Sequence, residues 1–207
     1  KRMTKNKILK FSLITLLFSI SFFSGAVNQT PEIIQSRKFA SATEDNPVDM
    51  TGFIVNPSFS ENTATGWTGA GTVNYHEVEF YQKTFNMYQV IKGLPAGKYR
   101  LTIKAFERPK SNDAGAAYKA GNETIYAQLY ASSKGFTDIS VPFNSLYKHT
   151  YSGAGSVNGY INTMAAAEIV FNNNAINYYD MTLSNILLEQ GQSLTIGAKT
   201  DFQQTGY

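Results

Sequence analysis

This 207-residue sequence contains no cysteine, so it can form no disulfide, no thiolate metal site and no lipid attachment through an N-terminal Cys. Tryptophan is almost as scarce, with Trp67 the only one in the chain. The sequence also lacks the G-x-S-x-G, P-loop and G-x-G-x-x-G patterns, which excludes three common designs for catalysis or nucleotide binding. These absences favour a binding function over a catalytic one.

Acidic residues are missing from positions 1–26, which hold five of the Lys and Arg residues. The remaining chain therefore has 13 basic and 15 acidic residues, although the whole sequence carries a formal net charge of +3. The positive excess belongs to the N-terminal segment alone. The rest of the chain has no basic footprint of the kind that nucleic-acid-binding proteins show.

The N-terminal segment has the pattern of an export signal. An apolar run from Phe11 to Phe23 follows three lysines, and the small residues Ser24, Gly25 and Ala26 come next. The run is too short to favour a membrane span. We therefore predict a signal peptide over residues 1–26 that is cleaved after Ala26, with Lys1-Arg2 upstream of the true start. A secreted, cell-surface or periplasmic protein with no membrane span after cleavage is expected.

The remaining sequence is predicted to be a polar linker over residues 27–47 and one all-β domain over residues 48–207. Residues 98–106 alternate between apolar and polar side chains, as in a half-buried antiparallel strand. Further strands are predicted at 53–55, 123–131, 179–188 and 194–198, and residues 76–92 form two short strands or one bent strand. One short helix is expected at 163–171, with Thr163 as its N-cap. Residues 132–162 are expected to be a long loop.

Several sequence segments together resemble a known family. They are Phe53-Ile-Val-Asn-Pro-Ser-Phe59 with Gly66-Trp67, the run from Tyr88 to Ile103 containing Gly93-Leu-Pro-Ala-Gly97, the run Phe106 to Ala114, Asn158-Gly-Tyr160, Met164-Ala-Ala-Ala167 and Leu194-Thr-Ile-Gly197. Their order resembles the galactose-binding-domain-like jelly rolls of carbohydrate-binding modules, in particular domains of secreted multidomain proteins of Bacteroidota. The resemblance implies a jelly-roll β-sandwich and a glycan as partner.

The sequence departs from the family pattern in two ways. Family members end in a further strand of the type W-x-x-F-D-N-F-x-L, which does not occur before Tyr207, so we expect a domain that lacks its last strand. The family also has an acid near a structural calcium site, where this chain has Ser60 followed by Glu61. Calcium needs several oxygen ligands. With one acid displaced and the C-terminal Asp of the family pattern missing, the sequence disfavours a structural calcium site without excluding it, and it predicts no other metal or cofactor.

Candidate ligand-binding residues lie in two predicted loops. Tyr147, Tyr151 and Tyr160, with Asn158 beside them, would either stack on a sugar or pack within the loop itself. Arg108, Asn112 and Asp113 form a second set that would either bind sugar hydroxyls or belong to a solvated turn. The resemblance implies that Trp67 lies in the core rather than in a sugar site.

The titratable residues do not predict catalysis. Glu107, Asp113 and Glu123 are acids in a predicted loop region, but nothing in their spacing makes a carboxylate pair. His76 and His149 are too far apart in sequence to indicate a metal pair. We therefore predict a non-catalytic carbohydrate-binding module of a multidomain protein. The alternative is a structural β-sandwich that contacts neighbouring domains or cell-surface proteins and binds no sugar.

Overall fold

The computed structural model describes residues 11–23, 42–108, 114–149, 156–157, 160–172 and 179–201. The chain is mostly β-strand in these ranges. The strands are β1 (Phe11–Phe23), β2 (Val48–Asp49), β3 (Thr72–Asn74), β4 (Glu77–Phe80), β5 (Phe85–Ile91), β6 (Gly97–Glu107), β7 (Gln128–Ser133), β8 (Ile139–Pro142), β9 (Asn144–Ser145), β10 (Ser156–Val157), β11 (Tyr160–Ile161), β12 (Asp180–Leu188) and β13 (Leu194–Thr200). The α-helices are α1 (Ala114–Lys119) and α2 (Met164–Asn172).

The strands form two larger sheets and one small hairpin. The first sheet has the order β12-β6-β1-β4-β3, with β2 beside β1 and β9 beside β6. The second has the order β5-β13-β7-β8, and β10 pairs with β11. All of these pairs are antiparallel except β6 with β9. The prediction of an all-β domain is confirmed at this level.

The two larger sheets share one hydrophobic core, as in a sandwich. In β6 the side chains of Tyr99, Leu101, Ile103 and Ala105 are buried, and the residues between them remain partly exposed. Strands β5, β12 and β13 alternate in the same way. The predicted strands at 98–106, 179–188 and 194–198 are confirmed, and residues 76–92 form two strands rather than one. We call this cluster the main core.

A second hydrophobic cluster lies on the other side of the first sheet, under helix α2. It consists of Phe106, Leu146, Ile161, Ala166, Ala167, Val170, Phe171 and Tyr179. Thr163 caps the helix, since its Oγ1 accepts a hydrogen bond from the Ala166 N–H at 3.1 Å. The predicted helix and its cap are both confirmed. We call this group the second cluster.

Strand β1 is the segment that the sequence marks as the apolar part of a signal peptide. It lies in the middle of the first sheet, antiparallel to both β6 and β4. A chain cut after Ala26 would lack this strand. Signal cleavage remains a prediction, and it would change the centre of the sheet.

Three predictions about local structure are wrong. Residues 53–55 are not a strand, because Thr51–Phe53 form a 3₁₀ turn and Asn56 has a left-handed φ of 50°. Residues 132–162 are not one long loop, because they contain the end of β7 and the strands β8, β9, β10 and β11. Helix α1 is a second α-helix where only one was expected. The predicted strand at 123–131 begins late, at Gln128.

Candidate functional site

Arg108 does not belong to a solvated turn. It follows β6 directly, and its side chain is almost completely buried. Its Nη1 donates hydrogen bonds to the carbonyl oxygen of Ile161 at 3.0 Å and to Asn162 Oδ1 at 3.1 Å. Arg108 therefore ties the end of β6 to the end of β11. The interpretation as a solvated turn is wrong, and a role in ligand binding stays a prediction.

Of the remaining predicted ligand residues, few lie in the described part of the chain. Asn112, Asp113, Tyr151 and Asn158 lie outside the described residues. Tyr160 is the first residue of β11. Tyr147 is half-buried in the 3₁₀ turn Leu146–Lys148, where its N–H donates to Ser145 Oγ at 3.0 Å. The predicted tyrosine group therefore stays a prediction.

Two acids of this region, Glu107 and Glu123, lie in the described part of the chain, and both have structural partners. Glu107 is fully buried at the end of β6, and its Oε2 accepts hydrogen bonds from the backbone N–H groups of Tyr126 at 2.8 Å and Ala127 at 2.7 Å. Burial raises the pKa of Glu123, an effect that a hydrogen bond with Ser145 opposes. Glu107 thus holds the segment that leads into β7, and it is not the loop acid that the sequence suggested.

The histidines lie in different parts of the fold. His76 Nδ1 is 2.7 Å from Glu168 Oε1 and so links the turn before β4 to helix α2. Burial lowers the pKa of His149, with a smaller contribution from the Lys148 charge. Within the described ranges, no three His, Asp or Glu side chains are grouped in a way that could hold a metal ion.

Trp67 lies in the main core with only 7% of its surface exposed, as predicted. Its ring centroid is 5.7 Å from that of Phe59, and its Nε1 donates to the carbonyl oxygen of Asn56 at 3.1 Å. Both the apolar ring and its one polar atom are therefore satisfied inside the protein. This tryptophan cannot serve as a sugar-stacking surface without leaving the core.

The second sheet has a different pair of aromatic residues on its outward side, of which Tyr88 is partly exposed and Tyr130 is only 7% exposed. Along each strand of this sheet, residues that face the core alternate with residues that face outward. One row of outward-facing residues crosses three strands, because Gly197 of β13 lies opposite both Tyr88 of β5 and Tyr130 of β7. Ser140 of β8 continues the row beyond Tyr130. We call the outward-facing side the tyrosine face. Its residues are Asn86, Tyr88, Val90, Gln128, Tyr130, Ser132, Ser140, Pro142, Thr195, Gly197 and Lys199.

Gly197 is required by the two tyrosines beside it. A Cβ at this position would clash with the carbonyl oxygen of Met87, and it would also lie 2.8 Å from the Tyr130 ring and 2.9 Å from Tyr88 Cβ. Both distances are far shorter than ordinary van der Waals contact. The missing side chain thus lets Tyr88 and Tyr130 close over the strand between them.

Tyr130 is fixed in place, whereas Tyr88 remains accessible. The Tyr130 hydroxyl donates to Asn86 Oδ1 at 2.8 Å, and Lys199 Nζ lies 5.0 Å from the ring centroid. Burial raises the pKa of Tyr130, so the hydroxyl is a neutral donor at physiological pH. Tyr88 beside it is half-buried, so part of its ring remains accessible. The face therefore offers a partly open aromatic ring on a rigid base.

The chemistry of the tyrosine face suits the binding of a polar ligand with an apolar surface. Amide and hydroxyl groups of Asn86, Gln128 and Ser140 surround the aromatic rings. Among the face residues defined above, Lys199 alone carries a formal charge. Aromatic area combined with a few neutral hydrogen-bonding groups is the usual composition of a small-molecule binding surface.

A small cavity lies between the β7–β8 turn and β12. It has a volume of about 220 Å³ and is lined by Ala131, Ser132, Ser133, Phe136, Thr137, Ile139, Asn185, Ile186 and Leu187. The Ser133 hydroxyl is already used, since it donates to the carbonyl oxygen of Leu187 at 2.6 Å. The cavity is smaller than a typical ligand pocket of about 300–1,000 Å³. The tyrosine face is thus the stronger candidate.

The tyrosine face could not be predicted from the sequence as a whole, because its members are far apart in the chain. The alternation in Phe85–Ile91 puts Asn86 and Tyr88 on one side of β5, and that signal was available. What the sequence could not give is the register that brings Tyr130 and Gly197 beside them. Cross-strand neighbours from non-consecutive strands cannot be inferred from periodicity alone.

Comparisons with protein-family models, with curated proteins and with solved structures found no match for this chain. Across the described ranges, none of the helices has the length and apolar character that a membrane span requires. A function for this chain therefore has to be inferred from the geometry of the tyrosine face and from the sequence resemblance to carbohydrate-binding jelly rolls.

Proposed function

We propose that this chain is a non-catalytic carbohydrate-binding domain of jelly-roll type, exported from the cell, and that it binds glycan on the tyrosine face. The observation that carries the proposal is the row of Tyr88, Gly197 and Tyr130 across neighbouring strands. An apolar sugar face would stack on the partly exposed Tyr88 ring. The side chains of Asn86, Gln128 and Ser140 would form hydrogen bonds with the sugar hydroxyls.

The shape of the face supports a chain-like ligand. Neighbouring strands lie about 4.8 Å apart, so the row from β5 to β8 extends over about 14 Å. The 220 Å³ cavity lies toward β12 and the β7–β8 turn, away from Tyr88. A short stretch of an oligosaccharide or polysaccharide fits an open sheet surface of this length better than a small monosaccharide would.

A glycan array on the purified chain tests the proposal, followed by calorimetry on the best ligand. Tyr88→Ala should weaken binding about tenfold or more, because an aromatic contact contributes on the order of 1 kcal/mol beyond burial. Tyr81→Ala is the matched control, since Tyr81 is also exposed but lies in the turn between β4 and β5. It should bind as the wild type does.

A third variant distinguishes a binding site on the sheet from a binding site in the loops. Tyr147→Ala removes one member of the loop group and should leave binding unchanged if the tyrosine face is the site. Loss of binding with Tyr147→Ala and none with Tyr88→Ala would move the site to the loops. Equal, undiminished binding by all three variants would exclude both Tyr88 and Tyr147 as sugar-stacking residues.

A protein-contact function is the second candidate, and it is favoured by apolar side chains that remain exposed near strand β5. Phe53 is 41% exposed, Val55 is 52% exposed and Val90 is 46% exposed. Val55 is held against β5, because its N–H and carbonyl oxygen both bond to the Gln89 side chain. If no glycan binds, this surface becomes the main candidate for contact with a neighbouring domain or a cell-surface protein.

A further inference from the structure

The central strand of the first sheet is β1, which is also the segment that has the pattern of an export signal. Strand β1 pairs with β6 from Phe11 to Phe23, with a break between Ile14 and Ser19, and with β4 from Phe11 to Ile14. It therefore joins β12 and β6 on one side to β4 and β3 on the other. If cleavage after Ala26 occurs as the sequence predicts, this joining strand is removed.

If β1 were removed, strands β4 and β6 could not simply pair with each other in its place. Strands β4 and β6 both run antiparallel to β1, so they are parallel to each other. An antiparallel pair between them is impossible, and a parallel pair would require one of them to move by a full strand spacing of about 4.8 Å. Val78 and Phe80 of β4 and Leu101 of β6 are packed in the main core and would oppose that movement.

Strand β1 fits this position imperfectly. Ile14 of β1 pairs with Lys104 of β6, and Ser19 pairs with Thr102. Strand β1 has four residues between these two pairs, whereas β6 has only one. The three surplus residues interrupt the pairing. Because successive residues of a strand lie on opposite faces, an odd number of extra residues switches which residues lie on a given face. The alternation in the second half of β1 is therefore shifted by one residue relative to the first half.

The register also shows which kind of strand the position accepts. Leu13 lies between Val78 and Ala105, and Ile20 lies opposite Leu101, which are main-core positions. Ser19 and Ser21 lie opposite Thr102 and Arg100, which are only partly buried. Ile14 and Phe23 lie opposite Lys104 and Lys98, so this other side accepts apolar residues as well as serine. A fitting strand therefore needs apolar residues at the alternate positions that lie opposite the main-core residues.

We propose that the position between β4 and β6 is a strand-acceptor groove, which residues 11–23 occupy in the full chain and which, after their removal, binds one extended strand of a second polypeptide. That strand runs antiparallel to both neighbours and carries apolar residues at alternate positions. The proposal rests on the predicted cleavage and is independent of glycan binding. A groove left empty would expose two rows of unpaired backbone groups at the centre of a sheet, which folded proteins avoid.

The test uses the full chain with a specific protease site inserted between Val27 and Asn28. The folded protein is cut and then mixed with a fluorescent peptide of residues 5–24, whose own lysines keep it in solution. The control peptide carries Leu13→Pro and Ile20→Pro, because proline cannot donate a ladder hydrogen bond in a central strand. Fluorescence anisotropy measures uptake, and mass spectrometry follows the release of residues 1–27.

We expect the cut protein to take up the native peptide while it releases its own segment, and to bind the proline peptide at least tenfold more weakly. The uncut protein should take up neither. Equal uptake of the two peptides would indicate nonspecific adhesion and overturn the proposal. So would a cut protein that takes up no peptide, whether its circular dichroism shows a retained fold or an unfolded chain.

Discussion

The hydroxyl of Tyr130 donates a hydrogen bond to Asn86 Oδ1 at 2.8 Å, across the strand that separates their own two strands. Tyr130 belongs to β7 and Asn86 to β5, and β13 lies between them. The bond is possible because Gly197 of β13 leaves room for the tyrosine ring to lie over its backbone. A single glycine thus permits a side-chain contact that joins three strands.

Gly197→Ala should destabilise the protein by about 1–3 kcal/mol, the usual cost of overpacking. The added Cβ would meet the Met87 carbonyl oxygen, which is part of the backbone and cannot turn away. Gly52→Ala is the matched control, because a Cβ at Gly52 would have no atom within 4 Å. Urea denaturation followed by circular dichroism measures both variants. Similar midpoints for the two would show that Gly197 has space the structure does not indicate.

Glu107→Ala should destabilise the protein more than Glu107→Gln does. The alanine variant leaves the N–H groups of Tyr126 and Ala127 without their acceptor, at a cost of about 1–3 kcal/mol for each buried group. The glutamine variant keeps one acceptor oxygen in nearly the same position. The free energy of unfolding in urea distinguishes the two. An alanine variant as stable as the glutamine variant would mean that water replaces the carboxylate.

Thr163→Ala should destabilise helix α2 by about 0.5–2 kcal/mol, because the Ala166 N–H loses its capping oxygen. Thr163→Ser keeps a hydroxyl at the same position and should stay close to the wild type. Thermal unfolding of both variants, each compared with the wild type at one protein concentration, provides the measurement. A serine variant as unstable as the alanine variant would assign the effect to the lost methyl group.

Stability should decrease as the pH rises above about 10. Burial raises the pKa of Tyr179, whose hydroxyl donates to the carbonyl oxygens of Leu146 at 2.7 Å and His149 at 2.6 Å. An unfolded tyrosine ionises near pH 10. Below that pH both states keep the proton, so the full contribution is present. Above it only the unfolded state releases the proton, and unfolding becomes easier.

Urea midpoints between pH 8 and pH 11.5 test this expectation with the Tyr179→Phe variant. The variant should be less stable than the wild type at pH 8 and should lose less stability on going to pH 11.5. Tyr99 contributes to the same trend, because burial also raises its pKa. Tyr75→Phe, at a 41% exposed position, should keep the wild-type slope. An unchanged slope in Tyr179→Phe would contradict the prediction.

The sequence predicted those elements whose pattern is local. Strand β6 shows its alternation within ten residues, and helix α2 has its N-cap directly before it. Phe53-Ile54-Val55 looked equally apolar, but only Ile54 is buried, and the turn at Asn56 prevents a strand. A run of three apolar residues carries too little periodicity to distinguish these cases.

The side chains of the candidate sites could not be predicted in the same way, because their partners are distant in sequence. Arg108 stands before Pro109, as a loop residue would, yet its partners Ile161 and Asn162 come more than 50 residues later. Tyr88 and Tyr130 meet only through the register of β13 with both neighbours. Burial and function at these positions depend on tertiary pairing, which composition and spacing do not contain.

The separation of the main core from the second cluster has a consequence for the way the molecule opens. Helix α2 and the residues beneath it form an apolar group of their own, connected to the rest through Phe106 and a few polar links such as His76 to Glu168. Units of this kind exchange their amide hydrogens by local opening at a lower free energy than global unfolding. We expect the amides of α2 to exchange before those of β5 and β13, so that the α2 side loosens while the tyrosine face keeps its shape.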